Sequence, residues 1–255
     1  MKNSLRALAL TVFTLSIAQA QTAPSSPLGS DLSVRANLSW ASKNIARGKE
    51  RSSDEGLFQS QLTLEYAVPT IIGTSVYFSG YSADSFEKVY GVGIRRTMEC
   101  GTLDVGYQHT KANDRFVTTN GTSGYTLAPS DNEYYIGLVL PKDVFLRPSA
   151  YLFYSDELRQ YNFVVSARKD FDGTDLGLSG INIVTKLYAG SIYASESNWD
   201  TANSYLYAGA SADFIYAINP NTSVGTGLNF AYNSDNAVDT KGGVFWYRFF
   251  ANFRF

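Results

Sequence analysis

Side chains suited to acid–base catalysis are scarce in this chain of 255 residues. His109 is its only histidine, and a serine nucleophile normally needs a histidine base beside it. The residue two positions further on is Lys111 rather than serine, and the alternation puts His109 on the apolar side or rim with Leu103, Val105 and Tyr107. A carboxylate-based protease site stays open, although no paired Asp/Glu motif stands out. We therefore predict no catalytic residues and no enzyme activity.

Metal ligands are equally scarce. Cys100 is the only cysteine, and one cysteine with one histidine does not make a zinc site. Side-chain oxygens at 53–55 and 234–236 could bind Ca²⁺, but solvated acidic loops are the commoner explanation for such segments. We predict no metal and no cofactor.

Charged side chains outnumber the candidate catalytic and metal-binding side chains, and they lie on the polar side of segments in which polar and apolar residues alternate. Because charges removed from water must be paired, one interpretation is a network of ion pairs that fills an interior. The other is a water-filled passage whose basic excess favours anionic or polar solutes. The predicted inward charges are Arg35, Glu65, Arg95, Asp104, Arg168, Lys186, Asp213 and Arg248. Inward aromatic residues could line a sugar-like path or fill space, and these are Tyr135, Tyr188, Tyr205, Tyr207 and Trp246.

Antiparallel β-strands must position these residues, because polar and apolar side chains alternate with a period of two. Each segment has about the ten residues that a tilted strand needs to cross the hydrocarbon core of a membrane. Twelve strands are predicted at 31–40, 58–68, 74–83, 88–98, 102–111, 133–140, 147–155, 160–171, 178–194, 203–217, 222–233 and 243–255.

The last segment is the strongest single indication of a membrane barrel. Counting back in twos from Phe255 gives a nearly all-aromatic face, which includes Phe253, Phe249, Tyr247 and Phe245. A lipid-facing surface with aromatic girdles accounts for such a strand. The ending resembles that of bacterial outer-membrane barrels, and the resemblance implies that Phe255 is recognised by the barrel-assembly machinery.

The start of the chain predicts a secretory signal peptide. Lys2 and Arg6 supply the positive charge, residues 7–18 are mostly apolar, and Ala18-Gln19-Ala20 is a small-x-small cleavage site. This apolar run is shorter than the roughly 18 residues of a membrane-spanning helix. We expect a signal peptide at 1–20, a short periplasmic lead at 21–30 and a single barrel domain at 31–255.

Composition and charge narrow the classes of protein to which the chain could belong. No later segment has the length and apolarity of a transmembrane helix, so a membrane protein of this sequence must be a closed barrel. Loss of Lys2 and Arg6 reduces 21 basic residues to 19 against 23 acidic ones, a net charge of −4. That charge provides no basic footprint for nucleic acid. A secreted β-sandwich would share much of the composition but would show a polar outer face.

Connection lengths alternate between short and long, as in outer-membrane barrels. Long polar connections are predicted at 45–56 and 111–132. With an even number of strands, both termini are expected on the periplasmic side. Short turns are predicted at 69–73, 99–101, 141–146, 171–177 and 218–221.

One local motif suggests a family. The first hairpin reads Ser42-Lys43-Asn44-Ile45-Ala46-Arg47-Gly48, and a second strand beginning Phe58-Gln59-Ser60-Gln61-Leu62 follows. This pattern resembles the opening of the TorF-type family of bacterial outer-membrane porins, over about thirty residues, although Ala46 replaces the usual aromatic residue. The resemblance implies an outer-membrane pore in which Arg47 and Gly48 shape a loop, with Gly48 tolerating a positive φ.

The sequence therefore predicts an all-β fold, a transmembrane antiparallel up-and-down β-barrel in the outer membrane of a Gram-negative bacterium. The expected function is porin-like passive diffusion of small polar or anionic solutes, with outer-membrane lipids around the barrel. Two alternatives are kept. One is a plugged barrel that organises the envelope or presents surface loops, and the other is a lipid-modifying enzyme.

Overall fold

A computed structural model describes residues 31–47, 49–50, 56–84, 87–112, 118–119, 122–123, 130–194, 204–234 and 243–255. The predicted signal peptide at 1–20 and lead at 21–30 lie outside these ranges, as do Gly48 and most of both candidate Ca²⁺ segments. Within these ranges no helix is long and apolar enough to cross a membrane.

Twelve antiparallel strands form one closed barrel, which confirms the predicted fold class and strand number. Each strand pairs with its neighbours along the chain, and the last strand pairs with the first. The predicted strand limits differ from the observed ones by at most three residues. The strands are β1 (Leu32–Ala41), β2 (Leu57–Ala67), β3 (Thr74–Ala83), β4 (Glu87–Met98), β5 (Gly101–Ala112), β6 (Ser130–Val139), β7 (Ser149–Ser155), β8 (Gln160–Asp172), β9 (Ile181–Ala194), β10 (Ser204–Asn219), β11 (Thr222–Asn233) and β12 (Val244–Arg254).

Pairing of β1 with β12 closes the barrel. Their register runs from Arg35 opposite Arg254 to Ala41 opposite Arg248. Val34 and Phe255 then exchange two backbone hydrogen bonds of 2.9 Å each, so the pairing continues to the last residue. Closure matters because an open sheet edge would leave unpaired N–H and C=O groups, which cannot face lipid.

The outer surface of the barrel is apolar, as the alternation predicts. Large apolar side chains project outward on every side, and many of them are more than a third exposed. A water-soluble protein rarely shows so much contiguous apolar surface. Trp40 packs against Tyr247 and Phe249 with ring centroids 5.8 and 6.3 Å apart, forming part of an aromatic rim.

The two ends of the barrel differ in their connections. The end that carries Asp31 and Phe255 has short turns and is called the short-turn end, and the opposite end is called the long-loop end. The turn predicted at 171–177 lies slightly later in the structure, because β8 continues to Asp172 and β9 begins at Ile181. A 3₁₀ turn at Gly173–Leu176 follows, in which Asp172 accepts a 2.9 Å hydrogen bond from the Thr174 N–H.

Candidate functional site: the barrel lumen

A cavity of about 380 Å³ lies inside the barrel. Asn44 and Arg47 border it at the long-loop end, and Arg147 and Arg254 border it at the short-turn end. The structure places seven of the eight predicted inward charges on its wall, and their role in conduction stays a prediction. These seven are Arg35, Arg95, Asp104, Arg168, Lys186, Asp213 and Arg248.

Paired charges occupy the wall formed by β1 to β5. The eighth predicted residue, Glu65, accepts hydrogen bonds from Arg35 and from Arg95 Nη1, the latter at 3.2 Å. Arg95 Nε also donates to Asp104 Oδ2 at 3.1 Å, and Ser75 Oγ donates to Glu65 Oε1 at 2.6 Å. On this wall the interpretation of an ion-pair network is correct, since each of these charges has an opposite charge beside it.

Tyrosine side chains complete this network. Tyr77 donates to Asp104 Oδ1 at 2.8 Å, Tyr151 donates to Asp104 Oδ2 at 3.4 Å, and Tyr135 bonds the Tyr77 hydroxyl. The side chain of Asp104 is only 3% exposed as a result. These hydrogen-bonded side chains form this wall of the lumen, and Tyr77, Tyr135 and Tyr151 border the cavity.

Inward tyrosines lie opposite inward glycines of the neighbouring strand. Gly93 is the cross-strand partner of Tyr77, and a Cβ added at Gly93 would stand 2.4 Å from the tyrosine oxygen. Rings can therefore lie against the wall, because the glycine leaves room that any side chain would fill. The same arrangement pairs Tyr135 with Gly106, Tyr151 with Gly137, Tyr188 with Gly209 and Tyr207 with Gly190.

Basic side chains dominate the wall formed by β8 to β12. Arg168 and Lys186 are cross-strand partners, and Arg248 pairs with Asp213 at 2.8 Å. Arg168 binds Asp170, whose side chain is 52% exposed, at 2.7 Å. Lys186 makes no ion pair with any residue in the described ranges, and its ammonium lies 5.9 Å from the centroid of the Tyr188 ring. This wall therefore has a net positive charge facing the cavity.

The basic wall continues into the turn at the short-turn end. Burial lowers the pKa of Arg147, and the nearby positive charge of Arg168 lowers it further. Burial also lowers the pKa of Lys142 in the same turn, with Arg147 adding to the effect. Burial is the main cause of both pKa shifts, and repulsion between the positive charges gathered at this end adds to it.

Arg47 lies in the mouth of the cavity at the long-loop end. The long polar connection predicted at 45–56 begins with buried residues, since Ile45, Ala46 and Arg47 are buried together with the preceding Asn44. Arg47 donates to Glu133 inside the barrel. Its φ is 49°, so a positive φ in this motif falls on the arginine itself.

Several lumen residues were not predicted from the sequence. Tyr77 and Tyr151 lie at inward positions of β3 and β7, and an inward glycine opposite each ring is the signal that could have identified them. Of the predicted aromatic residues, Tyr135, Tyr188, Tyr207 and Trp246 border the cavity. Tyr205 is buried beside Tyr207, with ring centroids 6.2 Å apart.

His109 lies on the outer side of β5. Its Nδ1 is 2.9 Å from Asn132 Oδ1, and Tyr107 donates to the same oxygen at 2.6 Å. No group of three or more histidine, cysteine or carboxylate side chains in the described part of the chain is placed to hold a metal ion. Cys100 is exposed in the turn between β4 and β5.

A closed barrel with an apolar outer surface and a charged interior that contains a cavity defines a transmembrane β-barrel of porin-like architecture. No protein-family model matches the chain, so membership of the TorF-type family stays a prediction. No curated protein matches it either.

Solved structures of porins resemble the barrel at low sequence identity. A KdgM porin is 9% identical with a TM-score of 0.48, over 88% of this chain and 99% of that chain. A NanC porin is 10% identical with a TM-score of 0.48, over 87% and 98% of the two chains. OccK5 (OpdH) of Pseudomonas aeruginosa is 11% identical with a TM-score of 0.41, over 88% and 67%. At this level of similarity these structures do not assign a ligand or a function to the chain.

Proposed function

We propose that this protein is a passive channel of the Gram-negative outer membrane, through which small polar and anionic solutes diffuse. One observation carries the proposal. The cavity is bordered by residues from both ends of the barrel, and its β8–β12 wall carries Lys186 without an ion-pair partner in the described ranges. A charge that only stabilised the fold would be paired, whereas an unpaired lysine in a wet passage can attract anions.

The difference in charge between the two walls of the lumen supports anion preference. The cavity is bordered both by the hydrogen-bonded tyrosine and carboxylate network near β3 to β7 and by the basic wall. A solute would then pass Arg168, Lys186 and Arg248, which all border the cavity. Charged side chains that line a pore set its ion selectivity.

Orientation and surroundings complete the proposal. The apolar outer face would contact outer-membrane lipids, and the short-turn end with both termini would face the periplasm, as in barrels of this architecture. Phe255 would be the residue recognised by the barrel-assembly machinery. Enzyme activity is not part of the proposal, since His109 lies on the outer side of β5 and bonds an asparagine.

Conductance of the refolded mature protein in a planar bilayer, with reversal potentials under a salt gradient, tests the proposal. We expect stable steps with anion preference, and a shift towards cations in Arg168→Glu and Arg248→Glu. A correctly folded barrel that never conducts would contradict it. The plugged structural barrel would then be favoured, because the network around Asp104 joins side chains of β3, β4, β5 and β7 by hydrogen bonds.

A further inference from the structure

The first residues after β1 cross the mouth of the barrel at the long-loop end. This segment, residues 42–47, is called the strap. Asn44, Ile45, Ala46 and Arg47 are 8%, 9%, 4% and 4% exposed, so the strap lies among other side chains rather than in solvent. Its last residue contacts Glu133 in β6 and Phe153 in β7. In a ring of twelve strands, β6 and β7 lie five and six places from β1, on the opposite wall.

One ion pair anchors the strap to that wall. Arg47 Nη2 donates to Glu133 Oε1, and the two side chains are only 2% and 4% exposed. Gln108 donates to the other carboxylate oxygen, which holds Glu133 in place. The Arg47 guanidinium carbon also lies 5.6 Å from the centroid of the Phe153 ring, within the range of a cation–π contact.

The anchor depends on Glu133 because the rest of the guanidinium is poorly satisfied. Arg47 Nε and Nη1 are buried and have no hydrogen-bond partner among the described residues. The hydroxyl groups of Tyr205 and Tyr207 are its other electrostatic neighbours. A buried cation that loses the carboxylate paired with it is strongly disfavoured, so loss of the Glu133 charge should drive Arg47, and the strap with it, out of the barrel.

We propose that the strap is the constriction that sets the size limit of the channel, with the Arg47–Glu133 pair as the latch that holds it in the mouth. Asn44, Ile45 and Arg47 border the cavity, so solutes that enter from this end must pass them. This inference rests on the proposed channel function. It assigns the size limit to the strap at the mouth of the barrel rather than to the charged residues of the β8–β12 wall.

Two readouts on the same variants test the inference. In the first, Ala46→Cys in a Cys100→Ser background is labelled with a bulky, polar maleimide in intact vesicles. We expect slow labelling, and labelling roughly ten-fold faster once Glu133→Gln is added, because the buried pair is broken. Cysteine at the exposed position Glu157 should label rapidly in both backgrounds and serves as the control.

The second readout is single-channel conductance. We expect Glu133→Gln to raise conductance roughly two-fold or more and to admit larger uncharged polyethylene glycols, because opening a constriction removes the narrowest part of the path. The double variant Arg47→Gln/Glu133→Gln buries neither charge, so it should restore part of the protection at position 46. If Glu133→Gln does not fold, Arg47→Gln breaks the same pair from the other side.

The outcomes distinguish a failure of the strap inference from a failure of the proposed channel function. Unchanged labelling in Glu133→Gln overturns the latch, whatever the conductance does. Faster labelling with unchanged conductance shows a latch that does not constrict, and this also overturns the inference. Absence of conductance in every folded variant overturns the channel function and the constriction together, while the labelling still reports whether the latch exists.

Discussion

Tyr77 and Gly93 are directly opposite each other on β3 and β4, and the tyrosine ring occupies the space that a side chain at position 93 would need. The ring can therefore lie along the wall, with its hydroxyl 2.8 Å from Asp104 Oδ1. Four further Tyr–Gly pairs repeat this arrangement around the barrel. Glycine thus determines how far aromatic side chains project into the lumen.

The Tyr77–Gly93 pair predicts a large effect of a small substitution. Gly93→Val should push the ring away from the wall and destabilise the barrel by about 1–3 kcal/mol, the usual cost of overpacking. The free energy of unfolding can be measured by urea titration in lipid vesicles. Gly80→Val is the matched control, because a Cβ at Gly80 has no neighbour within 4 Å. Equal destabilisation by both substitutions would contradict this account.

Substitutions of Asp104 and Asp170 should differ greatly in their effect on the free energy of unfolding. Asp104→Asn removes a carboxylate that is 3% exposed and binds Arg95, so we expect a loss of about 3 kcal/mol, at the lower end for a broken buried pair because Arg95 retains Glu65. Asp170→Asn breaks a pair in which Asp170 is 52% exposed and should cost less than about 1 kcal/mol. Similar losses in the two variants, measured by the same titration, would show that burial does not set these energies.

Lys186 should control ion preference more directly than its paired neighbours. Lys186→Glu is expected to lower the ratio of anion to cation permeability roughly two-fold or more, because it reverses an unpaired charge on the wall. Reversal potentials under a salt gradient measure this ratio. Lys88→Glu makes the same change at an exposed position of β4 that alternates with the inward residues, and it should leave the ratio nearly unchanged. A larger shift with Lys88→Glu would place the selective charges outside the lumen.

Phe255 combines a side chain that we expect to be an assembly signal with backbone groups that close the barrel. Deletion of Phe255 removes both, including the two hydrogen bonds to Val34. Phe255→Ala removes only a half-exposed side chain and keeps the closure. If the side chain is the signal, both variants should lower the yield of heat-modifiable barrel in cells. Normal assembly of Phe255→Ala would assign the defect of the deletion to the lost backbone pairing.

His109 should be dispensable for conduction. His109→Ala loses one hydrogen bond to Asn132 on the outer side of the barrel, so we expect a stability change of about 1 kcal/mol or less and unchanged conductance. Mass spectrometry of the surrounding lipids, with the wild type and the variant compared, tests the enzyme alternative. A lipid product that disappears in the folded variant would show that the barrel is an enzyme.

Much of the architecture was predictable because it depends on local patterns. Arg168 and Arg248 could be assigned to the interior by counting residues along one strand, since neighbouring side chains point to opposite faces. The turn after β8 lies slightly later than predicted, because Asp172 extends the strand by one residue and β9 begins at Ile181.

The strap could not be predicted, because it depends on residues distant in the sequence. Arg47 and Glu133 are 86 positions apart and meet only when the barrel has closed. Polar residues after a strand usually indicate a solvated loop. Nothing in the sequence from Ser42 to Arg47 indicates that Arg47 will pair with the Glu133 carboxylate on the opposite wall. Likewise, Glu65 meets both Arg35 and Arg95 only through the register of neighbouring strands.

The sequence by itself determined which face each strand residue occupies and that the strands must close into a barrel, because side-chain alternation and backbone pairing are local requirements. Only the tertiary structure decided which interior side chains meet. Closure and strand register bring Asp104 into contact with two tyrosines and an arginine, leave Lys186 without an ion-pair partner in the described ranges, and place Arg47 against the opposite wall. Contacts across a lumen depend on the geometry of the whole ring, and no single strand contains that geometry.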